Sequence, residues 1–291
     1  MRRPPRRSLS MLERVTTSDA TPVPPASTRS AAFFDLDKTI IARSSTLAFS
    51  KHFYDSGLIN RRSVLRSAYA QFMFALQGAD EAQMEKMRAY LTSLVEGWDV
   101  ETVRQVVAET LHTVVDPLVY VEAVDLIAAH HAAGRDVVIV SASGSEVVEP
   151  IGAMLDADHV IATELVEEDG HYTGEIALYA YGENKATAIR ELAEEQGYDL
   201  AESYAYSDSE TDVPMLAEVG HPYVVNPDKA LRRLALEEGW PVLEFGQPVT
   251  LKSRVSLEST GSKVAVASLA AAAMSAAAGV ALHQLKRRRS E

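Results

Sequence analysis

Four consecutive apolar residues, Ala31-Ala32-Phe33-Phe34, run without polar alternation into Asp35, the pattern of a short strand buried on both faces. Beyond Ile41 the apolar positions change to helical spacing for roughly seventy residues. That spacing predicts helices over 46–54, 61–76, 81–96 and 100–114, broken at Gly57, Gly78 and Trp98-Asp99. A helical stretch of this length set between strands predicts a separate lid or cap.

Strand and helix then alternate. A helix over 118–131 is expected to close at Gly134, in the left-handed conformation that favours glycine after a helix. Val137-Val138-Ile139-Val140 predicts a second buried strand, followed by a helix over 146–155. Segments 164–166 and 172–175 flank Asp169-Gly170, a hairpin signal. A helix over 185–196 ending at Gly197 and strands over 203–206 and 223–225 complete the pattern. Apolar strands alternating with helices predict an α/β fold, a doubly wound parallel sheet covered on both faces. The expected organisation is a disordered tail over 1–29, a core domain over 30–43 and 115–246, and a cap over 44–114. A linker over 247–262 and an Ala-rich helix over 263–291 with a basic end follow.

Composition narrows the chemistry. With 47% apolar residues in 291, the chain has the makings of a globular core. It has no cysteine, which excludes disulfides, thiolate catalysis and cysteine-bound metals and fits a reducing cytoplasm. A formal charge of −13 argues against nucleic acid as a partner. The cations gather at the ends, Arg2, Arg3, Arg6 and Arg7 first and Lys286 to Arg289 last. The basic start continues into Pro, Ser and Thr with no apolar stretch, so it does not read as a secretory signal, and Met11 offers an alternative start.

Four segments carry candidate chemistry. In Phe34-Asp35-Leu36-Asp37-Lys38-Thr39 two carboxylates at i and i+2 leave the end of a strand, where parallel sheets bind ligands. Like charges so close call for a cation, and a hard ion such as Mg²⁺ would also hold phosphate; an acidic turn is the plain alternative. Val140-Ser141-Ala142-Ser143-Gly144, before a helix, offers backbone N–H groups to an anion or is a simple turn. Gly182-Glu183-Asn184-Lys185 puts a cation at a helix start, suited to an anion unless the lysine is merely solvated. In Ser207-Asp208-Ser209-Glu210-Thr211-Asp212 the two aspartates could complete a metal site or cap a helix.

In this order and spacing the four segments resemble the haloacid-dehalogenase superfamily, in its phosphoserine-phosphatase-like branch (subfamily IB). The resemblance spans about residues 31–245 and includes the hairpin before the motif lysine. It implies a Rossmann-like core with an inserted all-helical cap of the C1 type, and a Mg²⁺-dependent phosphatase acting on phosphate monoesters. It also implies roles. Asp35 would be the nucleophile forming an aspartyl-phosphate, and Asp37 the general acid and base. Ser141, Ala142 and Lys185 would hold the phosphoryl group, and Asp35, Asp37 and Asp208 would hold the metal, with Asp212 in support. Three positions depart from the branch: Ser207 stands where Gly is usual, Thr211-Asp212 where Asn-Asp is, and Ser141-Ala142-Ser143 where Ser-Gly-Gly is.

The substrate is less constrained. Phosphoserine phosphatases of this branch carry a Glu nine residues after the nucleophile to read the substrate's ammonium, and Ser44 stands there instead. Phosphoserine is therefore the second expectation, behind a small or lipid-linked phosphate monoester; a phosphate-binding or membrane-tethered module without turnover is a third. Arg61, Arg62 and Arg66 could bind a carboxylate or second phosphate, or form a solvated helix face. Phe53, Tyr54, Tyr69, Phe72, Met73 and Phe74 make a greasy cap core, some of which could face an apolar tail. Residues 264–282 carry no charge and approach the ~20 residues of a membrane span, but they are mostly Ala. With four cations after them, 264–289 fits better as a helix lying on an anionic membrane surface than as a span, at the inner face of the membrane for a cytoplasmic enzyme; an Ala-rich soluble or poorly ordered tail is the plain alternative. His130-His131 lacks a metal-ligand spacing. Nothing in the sequence fixes the oligomeric state.

Overall fold

The computed structural model describes residues 29–59, 92–93 and 95–246. The predicted helices over 61–76 and most of 81–96, the tail ahead of Arg29, the linker and the Ala-rich segment lie outside these residues.

A seven-stranded sheet forms the centre, its order β4-β3-β2-β1-β5-β6-β7. The strands are β1 (Ala31–Phe34), β2 (Asp136–Gly144), β3 (His159–Glu168), β4 (His171–Leu178), β5 (Tyr204–Ser207), β6 (His221–Val225) and β7 (Val242–Leu243). All neighbours pair in parallel except the β3–β4 hairpin. The chain starts at β1, steps outward to β2 and β3, then returns to the other side of β1 for β5. The order reverses between β1 and β5, and at such a reversal the loops diverge and open a crevice. Register sets what meets there: Phe34 pairs with Ile139 of β2 and with Tyr206 of β5. Asp35, Ser141 and Asp208 therefore leave three adjacent strands at one edge.

Alternate residues of β1 serve opposite cores, as the two-residue period of a strand requires. Ala32 and Phe34 face the core shared with α1 (Ser45–Asp55), α2 (Val100–Val115), α3 (Val121–Ala132) and α4 (Ser145–Met154). Ala31 and Phe33 face the core under α5 (Glu183–Gln196), α6 (Val213–Ala217) and α7 (Lys229–Glu238). Gly152 lets α4 lie flat on β3, since a Cβ there would come within 2.5 Å of Val160 Cγ2.

Most predicted elements appear, with four differences. The helix expected from 118 begins at Val121: Val119 bridges Ile41 and the Tyr120 N–H donates to the Ile40 carbonyl, which holds this stretch extended. The hairpin arms are longer than their turn signal suggested, because the first half of β3 also pairs with β2 and the tip pairs with the cap. There the Gly97 N–H donates to the Tyr172 carbonyl and the Tyr172 N–H to the Trp98 carbonyl. Helix α7 and strand β7 were not anticipated. Arg29, assigned by sequence to the tail, donates to Asp136 at 2.6 Å and lies over the Tyr198 ring.

Helices α1 and α2 supply the described part of the cap and pack on each other and on α4. Phe53 stacks with Phe49 and lies against Trp98, which places it in the cap core, while Tyr54 is exposed.

Candidate active site

The loop after β1 turns at once. Lys38 takes a left-handed backbone (φ 62), and the Ile40 and Ile41 N–H groups fold back onto the Leu36 carbonyl. Asp35 stays buried at the strand end, its N–H donating to the Tyr206 carbonyl. Across the crevice, Gly182 enters α5 with φ 56 and ψ −125, a conformation costly for any residue with a Cβ. This turn sends Lys185, in the first turn of α5, inward.

Lys185 Nζ donates to Asp35 Oδ1 at 2.7 Å and to Asp212 Oδ2 at 2.9 Å, and all three residues are buried. The Ser207 hydroxyl donates to the same Asp212 oxygen at 2.7 Å. A hydroxyl at 207, where glycine is usual in the branch, thus orients the carboxylate that holds the lysine. Burial opposes charge on Lys185, but the carboxylates of Asp35 and Asp212 outweigh it and hold its pKa above the usual value. Burial pushes the Asp35 carboxyl up, against the pull of Lys185, and Asp212 and Asp37 add to the rise.

Asp208, buried one residue past β5, is pushed up to about 6, chiefly by burial and offset by Lys38, whose Nζ lies 3.8 Å from its Oδ2. Its carbonyl accepts from the Asp228 N–H, which ties the β5 and β6 loops together.

Asp37 is gripped from two sides. Its Oδ1 accepts from the Ser45 N–H at 2.8 Å and its Oδ2 from the Ser143 hydroxyl at 3.1 Å. Ser143 in turn accepts from the Ser45 hydroxyl at 2.8 Å and lies 3.2 Å from Thr46 Oγ1. The sequence placed Ser143 in the anion-binding segment and as a departure from Gly, but gave its hydroxyl, Ser45 and Thr46 no part in the site. The signal was present as hydroxyl residues in both the cap entry and the β2 loop, but no spacing along the chain joins positions about a hundred apart.

The Ser141 hydroxyl is buried and accepts from the Ser143 N–H at 3.2 Å, while Ala142 is exposed at the crevice edge. Pairing of β2 with β3 breaks register between Ser141 and Gly144, and Thr163 anchors the loop by donating to the Ala142 carbonyl at 2.8 Å. The seven residues singled out from the sequence thus gather at one edge. Asp35, Lys185 and Asp212 touch directly. Asp37, Ser141 and Asp208 reach the site through other partners.

Four carboxylates (Asp35, Asp37, Asp208, Asp212) face two ammonium groups (Lys38, Lys185) here. Burial raises the pKa of both Asp35 and Asp208, and the neighbouring carboxylates add to the rise. A divalent cation would make good the deficit of positive charge, so the donor set fits one. Among the described residues no three His, Asp or Glu side chains form a cluster able to hold a metal. An ion here would have to use few side chains and complete its shell with backbone carbonyl, water and substrate oxygens, which is the habit of Mg²⁺.

The profile of the haloacid dehalogenase-like hydrolase family matches residues 32–217. The chain is 61% identical over 264 residues to the "inhibition of morphological differentiation protein" of Streptomyces azureus, covering 89% of this chain and 95% of that protein. It is 59% identical over 261 residues to a probable phosphatase of Mycobacterium tuberculosis, covering 89% and 90%. Among solved structures, a protein of unknown function from Bordetella pertussis superposes with a TM-score of 0.67 at 30% identity, over 74% of this chain and 98% of that one.

Proposed function

This chain belongs to the haloacid dehalogenase-like hydrolase family and is a phosphatase of that family, and from that premise we propose that it cleaves phosphate monoesters by way of an aspartyl-phosphate on Asp35. The observation that carries the reading is the buried contact of Lys185 Nζ with Asp35 Oδ1 at 2.7 Å, with Asp37 two residues on. The lysine keeps Asp35 in place and offsets charge where a phosphoryl group would arrive. A carboxylate oxygen of Asp35 attacks phosphorus as the ester P–O bond breaks, and Asp37 gives its proton to the departing alkoxide. Water then attacks the phosphorus of the aspartyl-phosphate, Asp37 takes its proton, and phosphate leaves with Asp35 restored. The Ser141 hydroxyl, the N–H group at Ala142 and Lys185 bind the equatorial oxygens of the phosphoryl group in both steps. The residues that would hold Mg²⁺ are Asp35, Asp208 and the Asp37 carbonyl, with Asp212 steadying the site through Lys185. When bound, the ion neutralises phosphate charge and draws electron density from phosphorus.

The substrate reading is a small or lipid-linked phosphate monoester. Ser44, at the entry to α1, brings no carboxylate to an ammonium, which weighs against phosphoserine.

The test compares phosphate release by the native enzyme and by Asp35→Asn, with Mg²⁺ and after chelation. The native enzyme should lose activity on chelation and regain it with Mg²⁺. Asp35→Asn should fall by at least about 10³-fold, with an unchanged circular dichroism spectrum. Turnover by Asp35→Asn near the native rate would overturn the mechanism. A panel of phosphoserine, sugar phosphates and lysophosphatidate ranks the substrate classes, and a clear preference for phosphoserine would overturn the substrate reading.

A further inference from the structure

We infer that Ser143 is a positioning residue for the leaving-group proton: its hydroxyl, set by Ser45 and Thr46 at the start of the cap helix, fixes the carboxyl of Asp37. The inference rests on the phosphatase reading above and deepens it.

The hydrogen count makes the case. Ser45 Oγ donates its one proton to Ser143 Oγ at 2.8 Å, so that proton cannot go to Asp37. Ser143 has one proton to place, and Thr46 Oγ1, 3.2 Å from the same oxygen, and the Asp37 carboxylate are both in reach of it. The best acceptor in reach is the Asp37 carboxylate, at 3.1 Å, because charged acceptors make the stronger bonds. The other oxygen of Asp37 accepts from the Ser45 N–H at 2.8 Å, so the carboxyl is held at both ends and its plane is fixed.

Ser143 and Ser45 are both buried, so water does not compete for these bonds. The three hydroxyls come from two elements that sequence separates widely: Ser143 from the loop that would bind phosphate, Ser45 and Thr46 from the cap. The carboxyl that would deliver a proton is therefore aligned only when the cap helix is seated on the core. A glycine at position 143 could make no such bond. In this chain the alignment of Asp37 is a task of the side chain at 143.

The experiment uses the leaving group as its readout. An alkyl ester such as 2-glycerol phosphate needs a proton delivered to its alkoxide, whereas p-nitrophenolate leaves from p-nitrophenyl phosphate with little help. Ser143→Ala should lower kcat/KM for 2-glycerol phosphate by about tenfold or more, the lower reach of general acid catalysis. For p-nitrophenyl phosphate the loss should stay under about threefold. Ser143→Thr, which keeps the hydroxyl, should recover most of the loss. Equal losses on both esters, or none on either, would overturn the proposal, since a merely structural role would not tell the leaving groups apart. If Ser143→Ala does not fold, Ser45→Ala removes the donor that directs the Ser143 proton and should show the same selective loss. Asp35→Asn in the same assay keeps the two readings apart: its activity on both esters falls if the nucleophile is assigned correctly, whatever Ser143 does.

Discussion

At the scale of single residues, the site concentrates features that a fold built only for stability would avoid. Lys38 is held at φ 62 with a full side chain, 67% exposed, that reaches no closer than 3.8 Å to Asp208. A left-handed backbone costs a residue with a Cβ about 1–2 kcal/mol, and a largely exposed lysine 3.8 Å from a buried carboxylate returns less. Lys38→Gly is therefore expected to raise the denaturation free energy by about 1 kcal/mol. Urea unfolding would check it, and a loss of stability would mean that Lys38 matters more to the charge balance of the crevice than to its own backbone. The strain sits between Asp37 and Thr39, where the turn that brings the two aspartates to one point is made. Asp35 and Asp37 were legible because their types and their i, i+2 spacing carry the chemistry. Ser143 and Ser45 were not, because a serine is informative only through its partner.

At the scale of elements, helix α3 is tied to the sheet through a buried polar contact under the site. His130 Nε2 lies 2.8 Å from the Tyr206 hydroxyl, and its Nδ1 accepts from Arg135 Nε at 2.7 Å. With Nδ1 accepting, the proton of the neutral ring is on Nε2, which donates to Tyr206. Tyr206 stacks on Phe34 with ring centroids 4.4 Å apart, so this group backs both strands that end in the candidate catalytic aspartates. Burial, with Arg135 and His131 adding, holds His130 down at about 3. In the unfolded chain it returns to its ordinary value near 6.5, so between these two values the unfolded state binds a proton that the folded state does not. Stability from this group is complete above about 6.5 and is lost as pH falls toward 3. His130→Gln should lower stability at neutral pH and flatten this acid dependence by nearly one proton. Denaturant midpoints measured from pH 7 to 4 would show it, and an unchanged slope would mean that His130 is protonated in the folded protein. Sequence reading placed this histidine pair outside any metal site, but nothing in the spacing distinguished the buried His130 from its more accessible neighbour His131. What decides it is how α3 docks on the sheet, which turns His130 toward Tyr206 and leaves His131 at the edge beside Asp158.

At the scale of the whole molecule, the described residues form a catalytic core with part of a cap, and no helix among them is long and apolar enough to cross a membrane. Residues 264–282, outside the described part, are uncharged and precede Lys286-Arg287-Arg288-Arg289. We propose that 264–289 lies on an anionic membrane surface, with its cations at the headgroups, and so places a cytoplasmic phosphatase at the inner face of the membrane. Deleting 264–291 should move the protein from the membrane fraction to the soluble fraction without changing turnover of p-nitrophenyl phosphate. An unchanged distribution between the fractions would overturn the anchoring.

What the sequence determined alone is the set of charged groups and the strands that carry them. Unbroken apolar runs between helices favour a buried parallel sheet; Asp35 follows one such run directly, and Asp208 follows another after Ser207. What only the tertiary structure decided is which groups share protons. The strand order placed β5 beside β1 and so brought Asp208 next to Asp35. The turn at Gly182 delivered Lys185 to two carboxylates rather than to solvent. The seating of α1 on the β2 loop joined Ser45 and Thr46 to Ser143 and Asp37. Hydrogen bonds act over about 3 Å, and local sequence spacing does not encode which distant residues will come that close.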